Sequence, residues 1–397
     1  MISLIFAALV LLGILTGTSQ IVFLTLFPIR VVSEWLDNEF NFNLTAPWLA
    51  ASCFLVIWLL LNKVLSEKRL PKFDTPVILW ALFLGWSALS MGWNETWGFS
   101  GVALARLASL FLLFVGARSL FVGKLQVRLL KALVFSSILS VGACLYQWIT
   151  GEEHSANRIA GGMVHPNNLA LYSNLIILLS VAFYSELKRK IFFISALANA
   201  GSVVLALSLN GFIMAGIALT IFLRKRVRLF LPLVIMVALL LMTYSPLTKR
   251  VEALATTQST LQYGYSSNSL AWRILNFEEL IPLVWKSPIW GHGPGTAEEI
   301  HPSKAGISPH NDYLRMLLEV GFPGLILWCF LLLSVSLRIW RVAISSERPI
   351  AFAVFSIFVA WIIGSFFDNF ITATAFQVNI WLAIGSVLGS AEYTRSV

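Results

Sequence analysis

Residues able to do chemistry are few in this chain and lie close together. All five histidines, His154, His165, His292, His301 and His310, fall within two polar stretches, 149–166 and 246–310. Arg158 and Arg273 occupy the same stretches, and Arg106 lies one and a half turns inside an apolar run. A neutral imidazole at a helix start acts as a general base near neutral pH. A guanidinium stays charged and grips phosphate oxygens bidentately. Each residue also has a plainer reading. An arginine snorkels to lipid headgroups, and a histidine or asparagine caps a helix.

The first cluster is "NRIAGGMVHPNN". Arg158 precedes the flexible Gly161-Gly162 pair, and His165, Asn167 and Asn168 lead into an apolar run. Asn167 or Asn168 is expected as a helix N-cap, with His165 and Asn167 also candidates for substrate contact. The second cluster, "SLAWRILNFEELIPLVWKSPIWGHGPG", repeats apolar residues at helical spacing from Leu270 to Val284. It reads as an amphipathic helix lying along a membrane surface, with Arg273 in it. The "GHGPG" turn, with Gly291 and Gly293, brings backbone close to something, and a bound substrate is the expected something. The third cluster is "HNDYLRMLLEVGFPG". His310 stands at a helix start, Asn311 or Asp312 caps it, and Arg315 and Glu319 share a face. Gly321, Pro323 and Gly324 then break the chain ahead of an apolar span. Asn311 and Arg315 are further candidate substrate contacts. The pairs Glu278-Glu279 and Glu298-Glu299 read as solvated faces. No Asp-x-Asp and no His/Cys cluster suited to a metal occurs in the long polar stretch, so neither metal nor cofactor is expected.

The elements that must position these residues are helices in a bilayer. Apolar residues make up 58% of the chain and charged residues 12%, against about 25% charged in soluble domains. The expected fold class is all-α, a polytopic integral membrane protein. Runs long enough to cross, about 20 residues each, lie near 2–18, 46–64, 76–93, 101–121, 127–148, 167–184, 191–207, 210–223, 229–245, 318–337, 350–367 and 371–390. That is about twelve spans, with 19–36 apolar enough to dip in as well. The first run lacks a basic flank and reads as a span. Basic residues cluster in alternate loops, from Lys63–Lys72 to Arg338–Arg348, and the intervening short loops hold none. That alternation places the basic loops and both termini in the cytoplasm and the two histidine-bearing stretches outside. The net charge of +9 is thus a topology signal, and nucleic acid is not an expected partner. The three cysteines lie in apolar runs and read as small hydrophobes. Three regions follow: an N-terminal bundle over 1–245, a long periplasmic loop over 246–317 with amphipathic helices, and C-terminal helices over 318–397.

The three clusters, in this order on the outer face, resemble the O-antigen ligase and O-antigen polymerase family of bacterial envelope glycosyltransferases. The last matches the family's pattern of His, a small amide, nine residues, Gly, two residues and Gly, here His310, Asn311, Gly321 and Gly324. The resemblance covers roughly residues 155–330. It implies an inner-membrane enzyme whose donor is a glycan on undecaprenyl pyrophosphate, with transfer to an acceptor hydroxyl without a metal. It assigns Arg158 and Arg273 to the pyrophosphate and His310 to the acceptor hydroxyl. Ligation to a lipid A-core acceptor and polymerisation of lipid-linked repeat units share these motifs. A non-enzymatic transporter of lipid-linked glycans is the competing class. Against it stand the absence of an evident internal repeat and the scarcity of acidic residues within spans.

Overall fold

The computed structural model describes residues 2–40, 44–68, 71–93, 97–152, 158–225, 269–302 and 307–396. The expected span at 229–245, and His154, lie outside the described residues. Those described are helical: α1 Ile2–Leu15, α2 Ser19–Phe40, α3 Thr45–Glu67, α4 Thr75–Ser90, α5 Trp97–Leu120, α6 Lys124–Thr150, α7 Pro166–Leu187, α8 Lys190–Ala206 and α9 Leu209–Phe222. Then come α10 Ser269–Lys286, α11 Asp312–Ser346, α12 Pro349–Gly364 and α13 Thr374–Ser396.

Among the described residues seven helices (α3 to α7, α11 and α13) are long and apolar enough to cross a bilayer, α1, α8, α9 and α12 are apolar but shorter, and α2 has a shorter apolar stretch, Ser19–Val31. The protein is a multi-pass membrane protein. The twelve expected spans leave out 19–36, yet a helix forms there. It packs between α3 and α6 with Phe23, Leu26 and Val31 buried. Mid-chain Pro28 and Arg30 weaken that stretch as a hydropathy signal, whereas packing against neighbours holds it helical. The break expected at Asn210-Gly211 falls earlier, at Leu207 (φ 46°), and the Ser208 hydroxyl caps α9 by accepting from the Gly211 amide.

Aromatic residues fill the centre of the bundle. Trp381 of α13 lies 4.1 Å from Trp80 of α4 and 6.0 Å from Trp361 of α12, ring centroid to centroid. At one end of the bundle Arg118 of α5 donates to both Asp74 carboxylate oxygens (2.6 and 2.8 Å) and to Glu392, and Arg338 of α11 lies 3.2 Å from Asp74. Because α11 starts at Asp312 and reaches Arg338 only after some seven turns, its polar start lies at the other end of the bundle.

α11 is not one straight helix. Gly321 has φ 68° and ψ −175°, which interrupts the helical ladder and strands the carbonyls just before it. They are satisfied from outside the helix. The amides of His292 and Gly293 donate to Leu318 O and Glu319 O, both at 2.8 Å, and Trp86 Nε1 donates to Val320 O at 2.8 Å. In return Phe322 N donates to Pro288 O at 2.8 Å. A Cβ on Gly321 would run into Ile289 carbonyl, and one on Gly291 would stand 2.6 Å from Val320 N. Gly291 and Gly293 thus bring backbone close to α11. The paired glycine signals, "GHG" and "GFPG", are the two sides of one contact.

The amphipathic helix α10 is present. Leu280 and Val284 are buried against Leu318 and Ala297, while Ile274, Ile281 and Trp285 are exposed, as suits a helix with one face toward lipid.

Candidate active site

The sequence clusters converge on the short turn 365–369 between α12 and α13. Asp312, first residue of α11, is fully enclosed. Its carboxylate accepts from the Ser365 hydroxyl (2.8 Å) and from the amides of Phe370 and Ile371 (3.1 Å each). Its own amide donates to Ser365 O at 2.9 Å. Asn311 is the N-cap: its side-chain oxygen accepts from Tyr313 N and Leu314 N at 2.9 and 3.0 Å. That atom is committed to the helix, so Asn311 is a cap where a substrate contact was also expected. One of the two expected caps therefore anchors the helix, and the other anchors the turn.

His310 precedes them with φ 52°, the left-handed region that side-chain-bearing residues seldom adopt. Such strain costs about 1–3 kcal/mol and persists only where surrounding bonds enforce it. Here the bonds on Asn311 and Asp312 do so. They set the His310 ring with Nδ1 3.2 Å from Asp368 Oδ1. Burial alone would raise the Asp368 pKa. The hydrogen bond from His310 and the charges of His310, His165 and Arg273 more than reverse this, so the carboxyl lies far below the usual carboxylate range. An ionised Asp368 can only accept, so Nδ1 of His310 is the donor, and in the neutral ring Nε2 then carries the lone pair a base requires.

Arg158 is buried. Its Nε donates to Ala206 O (3.0 Å) and its Nη2 to Asn167 Oδ1 (2.5 Å), and Asn167 Nδ2 donates to Asp368 Oδ2. His165, not Asn167 or Asn168, is the N-cap of α7, accepting the Asn167 amide on Nδ1 at 3.1 Å. This frees the Asn167 side chain to link Arg158 with Asp368. Arg273 Nε donates to Phe367 O at 3.1 Å. Burial lowers its pKa and the Asp368 charge opposes that. Arg158 and Arg273, expected on the pyrophosphate, thus both brace the turn that carries Asp368.

A cavity of about 2270 Å³ opens beside this turn. His310, Asp368, His165, Arg106, Arg315 and Glu298 line it. Apolar side chains from α1 (Phe6, Val10, Ile14), α3 (Ala50, Phe54) and α5 (Val102) line it as well. Arg315 is buried, donating from Nη1 to Glu319 (3.1 Å) and from Nη2 to Glu298. Asp368 and Glu298 are the residues that sequence reasoning missed. The only signal for Asp368 was a carboxylate in "FFDNF" at the end of an apolar run. Glu298 was hidden by its neighbour Glu299, which is the exposed one of the pair.

Residues 190–329 match the family described as O-antigen ligase. That segment is about a third of the chain. The matched segment holds Arg273, His310, Gly321 and Gly324 and ends before Asp368. No curated protein matches the chain.

Proposed function

We propose that this protein is a membrane enzyme of the O-antigen ligase family that transfers a glycan from undecaprenyl pyrophosphate to an acceptor hydroxyl, as in ligation of O-antigen to lipid A-core, at the periplasmic face of the inner membrane. The observation that carries the reading is the His310–Asp368 pair on the wall of a cavity lined by both charged and apolar side chains. His310 Nε2 takes the proton of the acceptor hydroxyl as its oxygen bonds to the anomeric carbon and the bond to pyrophosphate breaks. Asp368 holds the ring in the required tautomer and stabilises the imidazolium that forms.

The departing pyrophosphate gains negative charge, and fixed cations in a water-poor site stabilise that charge without rearranging. Arg106 on the cavity wall, with Arg273 and Arg158 just behind the Asp368 turn, supplies them, so no metal is required. The apolar side chains of α1, α3 and α5 suit the prenyl chain. The basic Arg118–Arg338 end of the bundle belongs in the cytoplasm, which puts the cavity outside. Purified His310→Ala should insert and fold normally and lose transfer, and wild-type transfer should persist in excess chelator. Near wild-type transfer by His310→Ala would remove the base from the mechanism.

A further inference from the structure

Glu298 has a placement that a mere partner of Arg315 would not need. Arg315 is already matched by Glu319, whose side chain is 5% exposed, through Nη1 at 3.1 Å. Glu298 is a second carboxylate on the same guanidinium, and the more accessible of the two at 37%. The bonds it accepts, from Arg315 Nη2 and from the Ser308 hydroxyl, both fall on Oε1. Among the described residues Oε2 accepts none. Ser308 stands two residues before His310, and Glu298, Ser308, His310 and Arg106 all line the one cavity. Burial tends to raise the Glu298 pKa, but Arg315, Ser308 and Arg106 outweigh it and keep the carboxylate ionised.

An ionised carboxylate, immobilised through one oxygen and open at the other, is an acceptor-only group. In a cavity that also holds a guanidinium, the ligand it suits is a neutral polyol with adjacent hydroxyl donors. A phosphate would be repelled. We propose that Glu298 is a sugar-binding residue, its Oε2 accepting from hydroxyls of the glycan and so registering the ring against His310. This rests on the glycan-transfer reading above and goes beyond it by dividing the cavity's polar groups. The arginines take the pyrophosphate, and Glu298 takes the sugar.

The test separates the two ideas by using two probes, undecaprenyl pyrophosphate alone and the same lipid bearing one N-acetylglucosamine. Wild-type protein should bind the sugar-bearing lipid at least tenfold more tightly than the bare one, about the effect of one hydrogen bond to a charged group. Glu298→Gln should abolish that increment and leave affinity for the bare lipid within twofold. Glu298→Asp keeps the charge beside Arg315 but withdraws the oxygen, and should do the same. It serves if the glutamine variant does not fold. A general structural role would weaken both probes together. An increment absent from wild type, or retained in either variant, overturns the assignment of Glu298. Failure of wild type to bind either lipid overturns the glycan-transfer reading itself.

Discussion

Replacing Asp368 by Asn changes one atom in the pair that defines the site. The new side chain keeps one acceptor oxygen, which at the Oδ1 position still accepts from the Asn369 amide (3.0 Å), while its amide nitrogen replaces the Oδ2 that accepts from Asn167, so that bond is lost. The charge facing His310 Nδ1 at 3.2 Å is lost as well. A hydrogen bond to a charged partner is worth about 1.5–3 kcal/mol. Each 1.36 kcal/mol in the barrier is about tenfold in rate, so losing the imidazolium's partner alone lowers kcat by about 10–150-fold. If the amide N–H turns toward the ring, Nδ1 becomes the acceptor and Nε2 carries the proton. The base is then in the wrong tautomer, and in the serine protease triad the same substitution lowers kcat by about 10⁴. The expected loss is therefore about 10–10⁴ in kcat with KM for the lipid-linked donor nearly unchanged. It should be measured by single-turnover transfer in detergent micelles, with thermal melting as the folding control. A folded Asp368→Asn protein within threefold of wild-type kcat would refute the role given to the pair.

Three further outcomes follow from the surrounding structure. Gly321→Ala forces a side chain into φ 68° and into the Ile289 carbonyl. Backbone strain of about 1–3 kcal/mol and overpacking of similar size should lower the melting temperature markedly, whereas Gly85→Ala, with open space around it, should be neutral or slightly stabilising. Arg315→Met leaves Glu319 buried without its cation, a change costing about 3–5 kcal/mol, and should abolish a monodisperse folded peak on size exclusion. His301 is buried with Nε2 2.6 Å from Asn276 Oδ1, and burial lowers its pKa from 6.5 although Glu279 opposes this. Below that value the unfolded chain binds the proton first. Stability is therefore full above pH 6.5 and declines as pH falls through it. Melting curves at about pH 7.5 and 5.5 should show the decline, and His301→Gln should flatten it.

The helical membrane class was legible because bilayer insertion demands long apolar runs, and the histidine motif was legible because its spacing is local. Gly321 illustrates the division between what sequence carries and what it does not. A break was readable from Gly-Phe-Pro-Gly, but its partner, the turn at 288–293, was assigned to substrate because nothing local says which backbone approaches which. Asp368 escaped notice for the same reason. It stands 58 residues from His310, in a five-residue turn whose one visible trait was its lack of basic residues. Glu298 and Glu299 look equivalent as neighbours, yet only the fold decides that one faces Arg315 and the other water. Arg158 and Arg273 were recognised as special, and the structure refines how. Their bonds to Asn167, Ala206 and the Phe367 carbonyl stiffen the turn that carries Asp368.

The most direct measurement incubates the purified protein with undecaprenyl-pyrophosphate-linked glycan and a lipid A-core acceptor and follows both products. Glycan transfer should appear in step with release of undecaprenyl pyrophosphate, one for one, and both should vanish in His310→Ala. Release of neither, or movement of intact lipid-linked glycan across a vesicle bilayer without cleavage, would contradict a transferase and point to a transporter.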